Sequence, residues 1–85
     1  MTDQLAIFKA LANPDRLKIM ELLYHAPGAG ISVLEIARHT QLSQSQTSQH
    51  LATLRRAGLI IAKRSGNTIL NSINPVVNWP VKVFK

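Results

Sequence analysis

Apolar positions recur at helical spacing along the first two thirds of the chain and at extended spacing after that. Leu5, Phe8, Leu11 and Ala12 share one helical face, which predicts a first helix of about two to three turns. Asn13-Pro14 ends it and starts another, with Asn13 as N-cap, Pro14 at the first helical position and Asp15 beside the positive end of the helix dipole. Ile19, Met20, Leu22 and Leu23 supply the apolar surface of this second helix, which stops before the turn-forming cluster Pro27-Gly28-Ala29-Gly30. This first third, residues 1–25, reads as scaffold and subunit contact.

Two capping boxes follow. Ser32 with Glu35 opens a short helix over roughly 33–39, whose Val33, Ile36 and Ala37 face a core. Ser43 with Gln46 opens a longer one, read over 43–57. Within it Thr47, Leu51, Leu54 and Gly58 fall at steps of four, three and four, so the leucines lie on one buried stripe and the glycine stands where the helix stops. Thr40, Gln41 and Leu42 connect the pair, a length that joins helix-turn-helix units, although the usual glycine is missing from the turn. Residues 32–57 are therefore expected to form a helix-turn-helix, a pattern that also fits a structural helical hairpin.

After Gly58 the period becomes extended. Leu59–Arg64 and Thr68–Ile73 are β-favouring runs around Ser65-Gly66-Asn67, which predicts a hairpin over 59–73 with a small glycine-containing tip and with Lys63 and Arg64 at its base. Residues 74–85 form a short apolar tail. Asn74-Pro75 could start a further helix, but Pro80 limits it to about one turn. The whole, residues 1–85 with 46% apolar content, is expected to be a single domain with a modest core, mainly α with a small β-hairpin.

The chemistry lies in the second capped helix. Residues 43–50 read Ser-Gln-Ser-Gln-Thr-Ser-Gln-His, hydrogen-bonding side chains without formal charge, and Arg55 and Arg56 follow. Short neutral donors and acceptors suit base edges, while the arginines suit phosphates. A Ser/Gln-rich linker has a similar composition but no reason to keep a buried stripe in register. The charge distribution agrees with a reading surface. All four acids (Asp3, Asp15, Glu21, Glu35) lie in the first 35 residues, for a net −1 there, and the acid-free remainder carries a net +7. A one-sided basic field points to a polyanion, either nucleic acid or anionic lipid.

Lipid is disfavoured: no stretch approaches the length of a membrane span, and the N-terminus lacks a signal-peptide pattern. A soluble, cytoplasmic chain is the economical reading. With zero cysteines, disulfides, thiol sensing and thiolate metal sites are excluded. Neither a nucleophile motif nor a phosphate-binding glycine loop is present, so an enzyme is not expected.

The segment Ala10–Leu23 (Ala-Leu-Ala-Asn-Pro-Asp-Arg-Leu-Lys-Ile-Met-Glu-Leu-Leu) resembles the opening signature of the ArsR/SmtB-type winged helix-turn-helix repressors. Leu42–Leu51 is similar to their recognition segment, and Arg55–Ile60 with the hairpin through Asn74 matches their wing in order and length. The resemblance spans about residues 5–74. It implies a two-fold homodimer that binds double-stranded DNA at an inverted-repeat operator, represses transcription and is released by a signal. The base-reading positions it implies are Gln44, Ser45, Ser48 and Gln49, with Gln46 divided between reading and capping. His50, Arg55, Arg56, Lys63 and Arg64 would hold phosphates or the adjacent groove, and Thr47 is assigned to packing.

Sensing is where the chain departs from this family. The family's thiolate sites lie on the helix that here reads Val33-Leu34-Glu35-Ile36-Ala37-Arg38-His39, which has no cysteine. Its other site uses Asp and His on a last helix, and no His or acid follows residue 50. His25 and His39 stand apart and are expected at exposed helix ends, so no metal and no cofactor is expected, and the chemistry of any effector stays open. The dimer interface is expected to include Leu5 and Phe8 from the first helix and Val77 and Trp79 from the tail. The alternative is a winged-helix interaction module that binds protein or non-specific nucleic acid.

Overall fold

In the computed structural model, which describes residues 4–26 and 28–77, backbone caps set most element boundaries. The elements are α1 (Gln4–Leu11), α2 (Pro14–His25), β1 (Ile31–Ser32), α3 (Val33–Thr40), α4 (Gln44–Arg56), β2 (Ile60–Ser65) and β3 (Thr68–Ile73). Asn13 caps α2: its side-chain oxygen accepts from the backbone N–H of Asp15 at 2.9 Å and of Arg16 at 3.1 Å. Ser32 Oγ accepts from Glu35 N–H at 3.3 Å, the first half of the expected box, while the Ser32 backbone itself belongs to β1. At α4 both halves form, with Ser43 Oγ accepting from Gln46 N–H at 3.0 Å and Gln46 Oε1 accepting from Ser43 N–H at 3.1 Å.

Two helix ends close by the same left-handed device. After α4, Gly58 takes φ 80, Gly58 N–H bonds Arg55 C=O and Leu59 N–H bonds Leu54 C=O, both at 3.0 Å. This is the Schellman arrangement, which satisfies carbonyls left over at a helix end. After α3 the left-handed residue is Gln41 (φ 61, ψ 29), and Leu42 N–H reaches Ala37 C=O at 3.2 Å. The glycine missing from the turn sequence is thus replaced by a side chain held in a conformation that costs an L-residue roughly 1–2 kcal/mol.

Packing is organised around α2, which lies against α1, α3, α4 and β3. Ile19 and Met20 from α2, Ile36 from α3, Leu54 from α4, Leu59 just before β2 and Ile60 at its start are fully buried. Each such side chain contributes roughly 1.5–3 kcal/mol of burial. Thr47 is also fully buried, and its hydroxyl donates to Ser43 C=O at 2.9 Å, so it packs without an unsatisfied polar group.

Two features differ from the sequence expectation. The phase of α1 is rotated: Ala10 and Leu11 are buried and Ile7 packs against the core, while Leu5, Phe8 and Ala12 face outward. The hairpin also gains a third strand. β1 pairs antiparallel with β3 through Ile31↔Asn71 and Ser32↔Leu70, giving the order β1-β3-β2. Asn71, 3% exposed, secures this edge by donating its side-chain N–H to Ile31 C=O at 3.1 Å. Between β2 and β3 the register Ser65↔Thr68 leaves Gly66-Asn67 as a two-residue loop, and Gly66 at φ 62 fits the first central position of a type II′ turn. Asn74 closes the hairpin's far end, donating from its backbone to Leu59 C=O and from its side chain to Gly58 C=O.

Candidate nucleic-acid interface

α4 buries Thr47, Leu51 and Leu54 on one stripe, and most of the polar run lies on its solvent-facing side. Gln44, Ser45, Ser48 and Gln49 are all exposed. Gln44, Ser48, Leu51 and Arg55, spaced at helical intervals, form one wall of an open groove of about 440 Å³. The opposite wall is the hairpin, through Asn67, Thr68, Ile69 and Asn71, and the start of α3 closes the groove with Ser32, Val33 and Leu34. Helix and hairpin thus face each other across a cleft lined mainly by neutral residues, with Arg55 in its wall.

The remaining cations divide by position. Arg55 and Arg56 are exposed in the last turn of α4, and Lys63 and Arg64 are exposed on β2. Arg64 is paired with Ile69 and Lys63 with Leu70. Directly paired residues stand on the same face of a sheet, so Arg64 shares the groove face with Ile69 and Lys63 stands on the opposite one. The groove residues Asn67, Thr68 and Ile69 were not among the sequence candidates. The polar Gly-Asn tip was their one signal, and their facing α4 follows from the packing of the hairpin.

Two candidates are engaged elsewhere. Gln46 is held as the reciprocal arm of the α4 cap. His50 is partly buried, with its ring against α2: Nδ1 lies 3.2 Å from Arg16 Nη1 and Nε2 lies 3.8 Å from Asp15 Oδ2. A phosphate-holding role for His50 was the expectation, and its ring nitrogens instead have protein partners.

Elsewhere, Leu5 and Phe8 are each 59% exposed. Val77 packs partly buried against the chain's own core, and Trp79 lies outside the described residues. The described part of the tail holds a single turn, Val77 N–H to Asn74 C=O at 3.0 Å. His25 and His39 are both exposed and line a second shallow cleft between α2 and α3, together with Lys18, Glu21 and Gln41. Among the described residues no group of three or more His, Asp or Glu is placed to hold a metal ion, and no helix is long and apolar enough to cross a membrane.

Residues 11–61 match the family model described as a helix-turn-helix domain. Over 81 residues the chain is 44% identical to the HTH-type transcriptional regulator YgaV of Escherichia coli, covering 94% of this chain and 80% of that protein. Over 78 residues it is 36% identical to the transcriptional repressor SdpR of Bacillus subtilis, covering 86% and 83% respectively. Among solved structures it superposes with a TM-score of 0.74 on the homodimeric winged helix-turn-helix DNA-binding domain of Mb0332 from Mycobacterium bovis, a possible ArsR-family transcriptional regulator. The two are 33% identical, and the match covers 82% of this chain and 62% of that one.

Proposed function

The chain belongs to the ArsR-type family of winged helix-turn-helix transcriptional regulators, and on that footing we propose that it is a cytoplasmic repressor that reads an inverted-repeat operator as a homodimer. One observation carries the reading. The neutral side chains Gln44, Ser45, Ser48 and Gln49 are exposed on a helix whose opposite stripe is buried, with Arg55 and Arg56 behind them and Arg64 across the groove. The neutral groups offer the donors and acceptors that discriminate base pairs, and the cations offer phosphate contacts that fix register without reading sequence. No catalytic step is assigned to any residue.

Self-association is supported by the outward face of α1, where Phe8 and Leu5 stand exposed, and by the homodimeric state of the Mycobacterium bovis domain. A two-fold pair would set two α4 helices into successive major grooves about 34 Å apart. The repressor sense is supported by the name of the Bacillus relative.

Selection from a randomised duplex pool at near-physiological salt tests the proposal. The expected product is an inverted repeat bound about a thousandfold or more tighter than scrambled DNA. A reporter placed behind that repeat should fall when the protein is expressed, and a rise would replace repression by activation. Equal, steeply salt-dependent binding to every duplex would overturn operator reading in favour of an interaction module.

A further inference from the structure

The Arg16 guanidinium joins three helices. Its Nε donates to Ala10 C=O and its Nη2 to Lys9 C=O at 3.4 Å, two carbonyls in the last turn of α1. Carbonyls at a helix C-terminus lack intrahelical partners and attract cations, so this end of α1 is a natural seat for the fork of an arginine. The remaining arm, Nη1, reaches His50 Nδ1 at 3.2 Å in the middle of α4. Arg16 itself sits in the first turn of α2, next to Asp15, whose carboxylate faces His50 Nε2 at 3.8 Å. His50 is thereby held between an adjacent cation and anion of one helix turn.

The donor chemistry of the guanidinium selects one tautomer of the neutral ring. A guanidinium has donors and no acceptor, so His50 Nδ1 must accept from Arg16, and the ring N–H must lie on Nε2, facing Asp15. Reversing the tautomer would set two donors against each other at Nδ1 and leave Nε2 without a proton for the carboxylate. The contact therefore has one arrangement and a definite orientation.

From this geometry we infer that Arg16 and His50 are positioning residues for DNA reading: they fix the angle of α4 relative to α1, and through it the spacing between the two reading helices of a dimer. The inference rests on the proposed operator reading. Its physical content is a single rigid fork between the helix that carries the outward Phe8 face and the helix that carries Gln44, Ser45, Ser48 and Gln49. Neither residue needs to touch DNA for this. Each of the three Arg16 guanidinium nitrogens already has a contact within the protein, and His50 has Nδ1 on Arg16 with Nε2 facing the Asp15 carboxylate.

The test compares wild type, Arg16→Lys, His50→Ala and the double variant at a temperature where circular dichroism shows each to be folded. Lysine keeps the charge but cannot span three acceptors in a plane, so it should not rescue. Each chain is titrated with the selected repeat, with the same repeat carrying one extra base pair between half-sites, and with scrambled duplex. Wild type should discriminate against the insertion, and each single variant should lose about tenfold of that discrimination while binding scrambled DNA as wild type does. The double variant should lose no more than the larger single effect, because both changes break one contact. Equal weakening on all three duplexes would show a direct phosphate contact and overturn the inference. Unchanged discrimination in both single variants would overturn it too.

A DNA-independent reading separates its failure from that of the operator proposal. At pH 8 the ¹⁵N shifts of the His50 ring should report the Nε2–H tautomer in wild type and a mixture in Arg16→Lys, and an Nδ1–H tautomer in wild type would refute the contact itself. If wild type selects no repeat, the operator reading fails and this role falls with it, whatever the ring shifts show.

Discussion

Gly30 stands tightly against the backbone of Asn71, and replacing it by alanine should part β1 from β3. Two independent penalties arise. Its φ of +114 lies in a region that L-residues rarely adopt, and such strain costs about 1–3 kcal/mol. A Cβ there would also overlap the carbonyl oxygen of Asn71 and stand 2.9 Å from its carbonyl carbon. The obstacle is backbone in the central strand β3, which cannot rotate away as a side chain could. Relief requires β1 to separate from β3, and the two share only the pairs Ile31↔Asn71 and Ser32↔Leu70. Overpacking of this kind adds about 1–3 kcal/mol. The sum, about 2–6 kcal/mol, compares with a total stability of about 4–13 kcal/mol for a chain of 85 residues.

Urea unfolding followed by circular dichroism measures this directly. With a slope near 1 kcal/mol/M, Gly30→Ala should lower the midpoint by about 2 M or more. Gly66→Ala is the internal control, since that glycine also has positive φ (+62) but open space at its Cβ. It should carry the conformational term alone, roughly 1–2 kcal/mol. If Gly30→Ala proves no more than about 0.5 kcal/mol worse than Gly66→Ala, the close approach contributes nothing and the reasoning fails, since surface-scale effects lie within that margin.

Gln41→Gly should stabilise the chain by about 0.5–1 kcal/mol, because the left-handed turn between α3 and α4 (φ 61) then carries no Cβ, and a thermal melt that fails to rise would refute the strain. Ser43→Ala removes the hydroxyl that accepts from Gln46 N–H and should cost about 1 kcal/mol, with faster hydrogen exchange at the Gln46 amide than in wild type. Phe8→Glu should leave the melting temperature of the monomer nearly unchanged, since Phe8 is 59% exposed, while sedimentation shows loss of the dimer. Arg64→Ala should weaken binding to all duplexes more than Lys63→Ala does and reduce the salt slope by about one, because Arg64 shares the groove face with Ile69; equal effects would place both outside the groove.

The features legible in the sequence were those whose causes are local. Asn13-Pro14, Ser32 and Ser43 mark helix starts because a capping side chain bonds a backbone N–H two or three residues on. The stripe of Thr47, Leu51 and Leu54 follows from helical period, and the α4 stop at Gly58 follows from a left-handed cap that glycine adopts at little cost. The neutral character of the α4 outer surface was equally plain, since burial of one stripe leaves the rest of the helix outside.

Tertiary structure decided what depends on partners remote in sequence. The phase of α1 is set by which of its apolar residues finds α2 and α4, and in a short helix with Leu5, Ile7, Phe8 and Leu11 the pattern admits more than one answer. β1 is two residues long, below any sequence period, and exists because Asn71 and Leu70 meet it across some forty positions of chain. Composition could not distinguish Arg64 from Lys63, and strand register did. His50 lies in a polar run that points to DNA, yet Arg16 and Asp15, 34 and 35 residues away, claim its ring. Local chemistry determines which backbone forms because caps and turns act within a few bonds. The direction in which each side chain faces is settled only when the elements compete for the same core.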